Sequence, residues 1–173
     1  MSADPLPSPE MLEHFLRRTR EHIARVSRNL EKVGRHLDFR QFTDLLHQRA
    51  AVHDASKFEE PERTPRIWAP AFTRCKAAGE PFGYPPGMEA RFAAAEQHHL
   101  RVNSHHPEYH PHPDSMSVLD VIEMVCDWTA MAQARNECQG SARCWAEKCL
   151  GHVYPFGEEK RDLIFRIIGI LET

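Results

Sequence analysis

The chain has 173 residues, 41% of them apolar and 27% charged, with 13 Pro, 8 Gly and a net charge of -3. That composition excludes collagen, a coiled coil and wholesale disorder, and a globular chain of this length buries roughly 70% of its unfolded surface without disulfides. With no long basic run and a slightly acidic balance, a nucleic-acid polymer is not an expected partner. Histidine is the outlier: there are twelve, and six of them lie between residues 98 and 112.

Residues 1–8 read as a polar, Pro-rich, disordered tail, and with no basic start and no apolar run they do not form a secretory signal. The domain is expected over 9–173. Ser8 is a good N-cap and Pro9 a good first-turn residue, so a helix is predicted from Pro9 to about Gly34. Its stripe is Leu12, Phe15, Thr19, Ile23, Val26, Leu30 and Val33, with His22 beside it. A second helix is predicted from Asp38 to His53-Asp54. Six of the 13 prolines fall between residues 58 and 88, which reads as a long loop around one short helix near Ile67–Ala78.

Met88 to about Asn103 fits a third long helix. The segment Ser104–Asp114 holds too many prolines to continue it. Ser115 or Ser117 then caps a strong helix from Val118 to about Glu137, and helices near Ala142–Leu150 and Glu158–Leu171 close the chain. No alternating strand pattern and no repeat is present. The expected fold is an all-α, single-domain bundle of about six helices. No apolar stretch is long enough to span a membrane. The five cysteines include no C-x-x-C pair and read as reduced, mostly buried thiols, which predicts a cytoplasmic protein.

Three segments carry chemistry. His53 and Asp54 are adjacent, and Lys57 follows within a turn, where its ammonium could hold a phosphate. The plain alternative is a solvated helix end. In the second segment, His99 and Asn103 are four apart and share a helix face. His98 precedes them, and His105 and His106 follow in a turn. Clustered neutral imidazole suits Zn, Fe, Mn, Co or Ni. His110 and His112, spaced by prolines, read as surface residues. In the third, Asp120, Glu123 and Asp127 form one acidic stripe on an otherwise apolar helix. Burying three carboxylates needs cations or donors. A solvated position suits Asp120; Asp127, between Cys126 and Trp128, is the expected site residue.

The order His22, His53-Asp54, His99, His105 or His106, Asp127 resembles the HD-domain superfamily of metal-dependent helical proteins. More closely, the segments HDASK, HHLRVNSHHPEY and VIEMVCDWTAM are similar to an uncharacterised HD-like family found in phages and microbes. The resemblance runs from about His22 to Met131. It implies an HD-type bundle in which His22, His53, Asp54 and Asp127 hold a first metal. Asp54 would bridge to a second ion held by His99 and one of His105 or His106. His36 is an alternative first histidine, placed less well after Gly34.

The expected activity is hydrolysis of a small phosphate ester, a nucleotide among the candidates, by water activated at one or two divalent ions (Mn, Fe, Co, Zn or Ni). Lys57 would neutralise the transferring group, Glu123 or Glu108 would act as general base, and Asn103 would position substrate. An HD-type di-iron oxygenase keeps the same ligands and changes the chemistry. A catalytically silent binding module is the alternative from another class. Trp145 and Phe156 are candidates for a homodimer contact.

Overall fold

Ser8 starts the first helix as its side chain predicts. Its Oγ accepts from the Met11 N–H at 3.3 Å and its carbonyl from the Leu12 N–H at 3.1 Å. The computed structural model describes residues 7–173, so the tail expected at 1–8 lies, for residues 1–6, outside the described residues. The seven α-helices among the described residues are α1 (Pro9–Arg35), α2 (Thr43–Val52), α3 (Arg63–Ala78), α4 (Met88–Val102), α5 (Val118–Arg135), α6 (Arg143–Cys149) and α7 (Glu158–Glu172). Short 3-10 turns join several of them, and no strand forms among these residues beyond one isolated bridge, Leu150 to Tyr154. The fold is all-α. None of its described helices is long and apolar enough to cross a membrane.

Contacts within the chain divide it into two compact units. One takes the described residues up to Glu21 and Asp54–Val102; the other takes His22–His53 and Asn103–Thr173. The first buries Phe15, Ile67, Trp68, Ala71, Met88 and Ala95, and packs α3 on α4. Rings of Phe72, Phe82, Tyr84 and Phe92 meet edge-on or stacked and fasten the Pro-rich segment between those helices. Helix α3 begins four residues earlier than expected. Pro65 sits in its first turn, where the missing N–H is not needed, so that proline does not signal a loop. It ends on Gly79, whose φ of 68° is open to glycine at little cost.

In the second unit the α1 stripe does what its spacing predicts. Val26, Leu30 and Val33 are fully buried with Leu46 of α2, Ile122 and Val125 of α5, and Ile164, Ile167 and Ile168 of α7. Ser117, not Ser115, caps α5. Its Oγ accepts from the Asp120 N–H at 3.2 Å, while Asp120 Oδ2 accepts from the Ser117 N–H at 3.0 Å.

Two expectations fail here. Cys138 and Cys144 form a disulfide, where reduced thiols were predicted. After α5 the chain passes through left-handed Asn136, Cys138 and Gln139, and this tight turn brings the two Cα atoms to 6.3 Å, within bridging range. Of the dimer candidates, Phe156 is buried in the core while Trp145 is half exposed, so only Trp145 presents a surface.

Candidate metal centre

The second unit gathers five of the predicted residues around two ends of one imidazole. Helix α2 ends at His53, whose ring is buried. Its Nδ1 lies 2.8 Å from Glu123 Oε1. A carboxylate only accepts, so Nδ1 carries a proton, and in the tautomer that this selects the lone pair lies on Nε2. That Nε2 lies 3.8 Å from Asp127 Oδ1, which in turn is 2.9 Å from His22 Nε2. Two imidazole nitrogens and one carboxylate oxygen therefore converge. The lone pair of His53 and the carboxylate oxygen repel each other unless a proton or cation lies between them.

The other half of Glu123 explains its burial. Oε2 accepts from Arg49 Nη1 at 2.8 Å, and the same nitrogen reaches Asp120 Oδ1 at 2.7 Å. His105 Nδ1 stands 3.4 Å from Glu123 Oε1, and its ring is 4.6 Å from the His53 ring. Burial pushes the Glu123 carboxyl up, but hydrogen bonds and charge from His105 and His53 outweigh it and hold it far below the usual carboxylate range. Asp120 behaves alike. Burial raises it, while bonds from Ser104, Ser117 and Arg49 lower it further. Asp120 is thus not a solvated stripe residue, as expected, but a buried anchor for Arg49 and for the cap of α5.

His53, His105 and Glu123 also present one ligand atom each within 4.8 Å of one another. With both carboxylate oxygens already taking protons from Arg49 and His53, Glu123 is better suited to orienting the histidines than to binding an ion. Glu108, the other candidate base, is exposed and accepts from the Tyr154 hydroxyl at 3.0 Å. The His106 ring lies 4.3 Å from that of His105, tilted by 41°. Asn103 follows the last residue of α4 instead of extending the His99 face, and its carbonyl accepts from the His106 N–H. His36 is on the surface, 3.8 Å from Asp38, as its poorer placement suggests. His110 departs from the surface reading. Its ring is 10% exposed and its Nε2 donates to the Ser104 carbonyl at 2.8 Å, while His112 is exposed.

The first unit repeats the chemistry with its own residues. Asp54, buried and in the left-handed region at φ 58°, opens the turn Ala55–Phe58 and takes an ion pair from Lys57 Nζ. His99 Nε2 lies 3.5 Å from Asp54 Oδ1, and its Nδ1 lies 2.9 Å from Glu62 Oε2. Glu62 is fully buried; its Oε1 takes His98 Nδ1 at 2.9 Å, and Oε2 also accepts from Arg66 Nε at 3.0 Å. Burial raises the Glu62 carboxyl, and its bonds to His98 and Ser56, with the charges of His99 and Arg66, bring it below the ordinary value.

His53 and His99 therefore share one arrangement: Nδ1 fixed by a buried glutamate and Nε2 turned to an aspartate. A histidine bound to metal through Nε2 has its other nitrogen held in this way. Sequence reasoning did not find Arg49 or Glu62. Neither stands in a motif, and only a buried carboxylate with two histidines on it reveals the role of Glu62. Donors of this type suit a divalent transition ion bound by N and O ligands.

A family model described as a family of unknown function (DUF5662) matches residues 11–170. No curated protein and no solved structure matches the chain. The family description names no HD domain, so what stands of that resemblance is the buried His/Asp cluster itself.

Proposed function

Because the chain belongs to DUF5662, a family without an assigned function, we propose from the site alone that it is a metal-dependent hydrolase of small phosphate esters. One observation carries the reading: the tautomer of His53 is fixed by Glu123, so that its Nε2 faces Asp127 and His22. His22, His53 and Asp127 would hold a divalent ion such as Mn, Fe, Co, Zn or Ni. Such an ion lowers the pKa of bound water from 15.7 to about 7 and polarises a phosphoryl oxygen.

The protein's own part is to hold and shield. Glu123, locked by Arg49, keeps His53 in the ligating tautomer. His105, whose Nδ1 faces the same Glu123 oxygen, is the residue assigned to take the proton from the attacking water. In the other unit, Asp54 and His99 form a second donor pair, fixed by Lys57 and Glu62.

Metal analysis of tag-free protein tests the reading, with wild type beside His53→Ala, Asp127→Ala and Asp54→Ala. Bound metal in the wild type is expected to fall in the first two variants with the far-UV helical signal retained. Loss in Asp54→Ala would assign metal to the second pair as well. Wild type without metal after incubation with Mn, Fe, Co, Ni and Zn, or unchanged content in His53→Ala and Asp127→Ala, would overturn it. The loaded protein should then release phosphate from p-nitrophenyl phosphate or a nucleoside monophosphate. Tightly held iron with dioxygen consumption in place of phosphate release would instead identify an oxygenase.

A further inference from the structure

A cavity of about 290 Å³ lies in the first unit between the start of α1 and α3, away from the Asp54–His99 pair. Its floor is apolar, formed by Met11 of α1 with Ile67, Pro70 and Ala71 of α3. Its rim is cationic. Arg18 stands two turns along α1 from Met11, and Arg74 stands one turn from Pro70 and two from Ile67, and both exposed arginines line the cavity. Among the described residues neither forms an ion pair. The one acidic lining residue, Glu10, already accepts from the Ser8 hydroxyl at 3.1 Å.

His14 reports the resulting field. It sits on the same face of α1, and Arg17 Nη2 lies 3.3 Å from its Nδ1. Burial first, then the positive charges of Arg18, Arg17 and Arg74, pull its pKa down.

We propose that this cavity binds a small organic anion, a carboxylate or phosphate carrying a short apolar body, with the anionic head between Arg18 and Arg74 and the body on Met11, Ile67 and Ala71. Arginine at the mouth suits either head group, since its planar fork pairs with both carboxylate and phosphate. An apolar, concave floor with a few polar groups at one end is the ordinary make-up of a small-molecule site. None of the residues of either metal cluster lines it, so the site stands or falls independently of the proposed reaction.

Calorimetric titration of the full-length protein with octanoate, octyl phosphate and octan-1-ol, each below its micellar concentration, tests it. Saturable one-to-one binding of octanoate or octyl phosphate is expected, the tighter of the two naming the head group. The NMR signal of the His14 ring should shift on binding. In the Arg18→Gln/Arg74→Gln double variant affinity should fall about tenfold or more. Ala77→Trp, which fills the mouth from an exposed position, should abolish binding with an unchanged far-UV spectrum. No saturable binding of either anion, equal affinity in the double variant, or octan-1-ol binding as tightly as the anions would overturn the proposal.

Discussion

Glu123 shows what one side chain does in this protein. A carboxylate on the buried face of α5 is costly to desolvate, and it persists because Arg49 and two imidazoles take up both of its oxygens. Removing it leaves Arg49 with Asp120 as its one carboxylate partner, beside the Ser104 hydroxyl, and frees His53 to turn over. Glu123→Ala is therefore expected to lower unfolding stability by about 3 kcal/mol, read from the urea midpoint. Glu123→Gln keeps an acceptor for His53 but loses the charge that Arg49 needs, and it should weaken metal binding about 10–100-fold by calorimetry. Wild-type stability and affinity in both variants would mean that the carboxylate is a bystander. The sequence points to this residue as a general base, whereas in the structure Arg49 and the imidazoles occupy both of its oxygens. An acidic stripe on an apolar helix signals compensated burial, but it does not say whether the compensating group is a metal or Arg49.

The helices were nearly all readable because their signals are local. Ser8 and Ser117 are caps within four residues of what they cap, and the α1 stripe needs only its own spacing. Misreadings came where a residue's meaning depends on its place in the element. Pro65 belongs to a helix because it falls in the first turn, and Cys138 meets Cys144 because three left-handed residues interrupt the helical run. The disulfide is checkable directly. Denatured, unreduced protein should titrate three thiols, Cys75, Cys126 and Cys149, and reduced protein all five. Chain entropy for so short a loop, with a sequence separation of 6, is worth about 2 kcal/mol. Cys144→Ser should lower stability by that amount, and five thiols without reductant would exclude the bridge.

At the scale of the whole molecule, the site was legible as residue types in order and illegible as partnerships. His22 could be picked because the Val26, Leu30, Val33 stripe fixes the face of α1 beside which it stands. The tie of His53 to Glu123 spans 70 residues, and that of His99 to Glu62 links α4 to the turn before α3, separations over which no periodicity carries information. Such long-range ties would make the proposed metal binding a matter of folding. The donors of the second unit come from α1, from the end of α2 and from α5, and the unfolded chain does not keep them together. An ion that binds only the native state adds about 2.7 kcal/mol at a hundredfold excess over its Kd. For a chain of this size that raises the thermal midpoint by about 5–10 °C. Wild type with Mn, Co or Zn should therefore melt higher than the same protein in chelator, and the gap should close in His22→Ala. That variant removes a proposed ligand beside the stripe while leaving the buried core of α1 in place. Identical midpoints with and without metal would show that the clustered histidines and carboxylates satisfy one another, and that the family's chemistry is to be sought away from this centre.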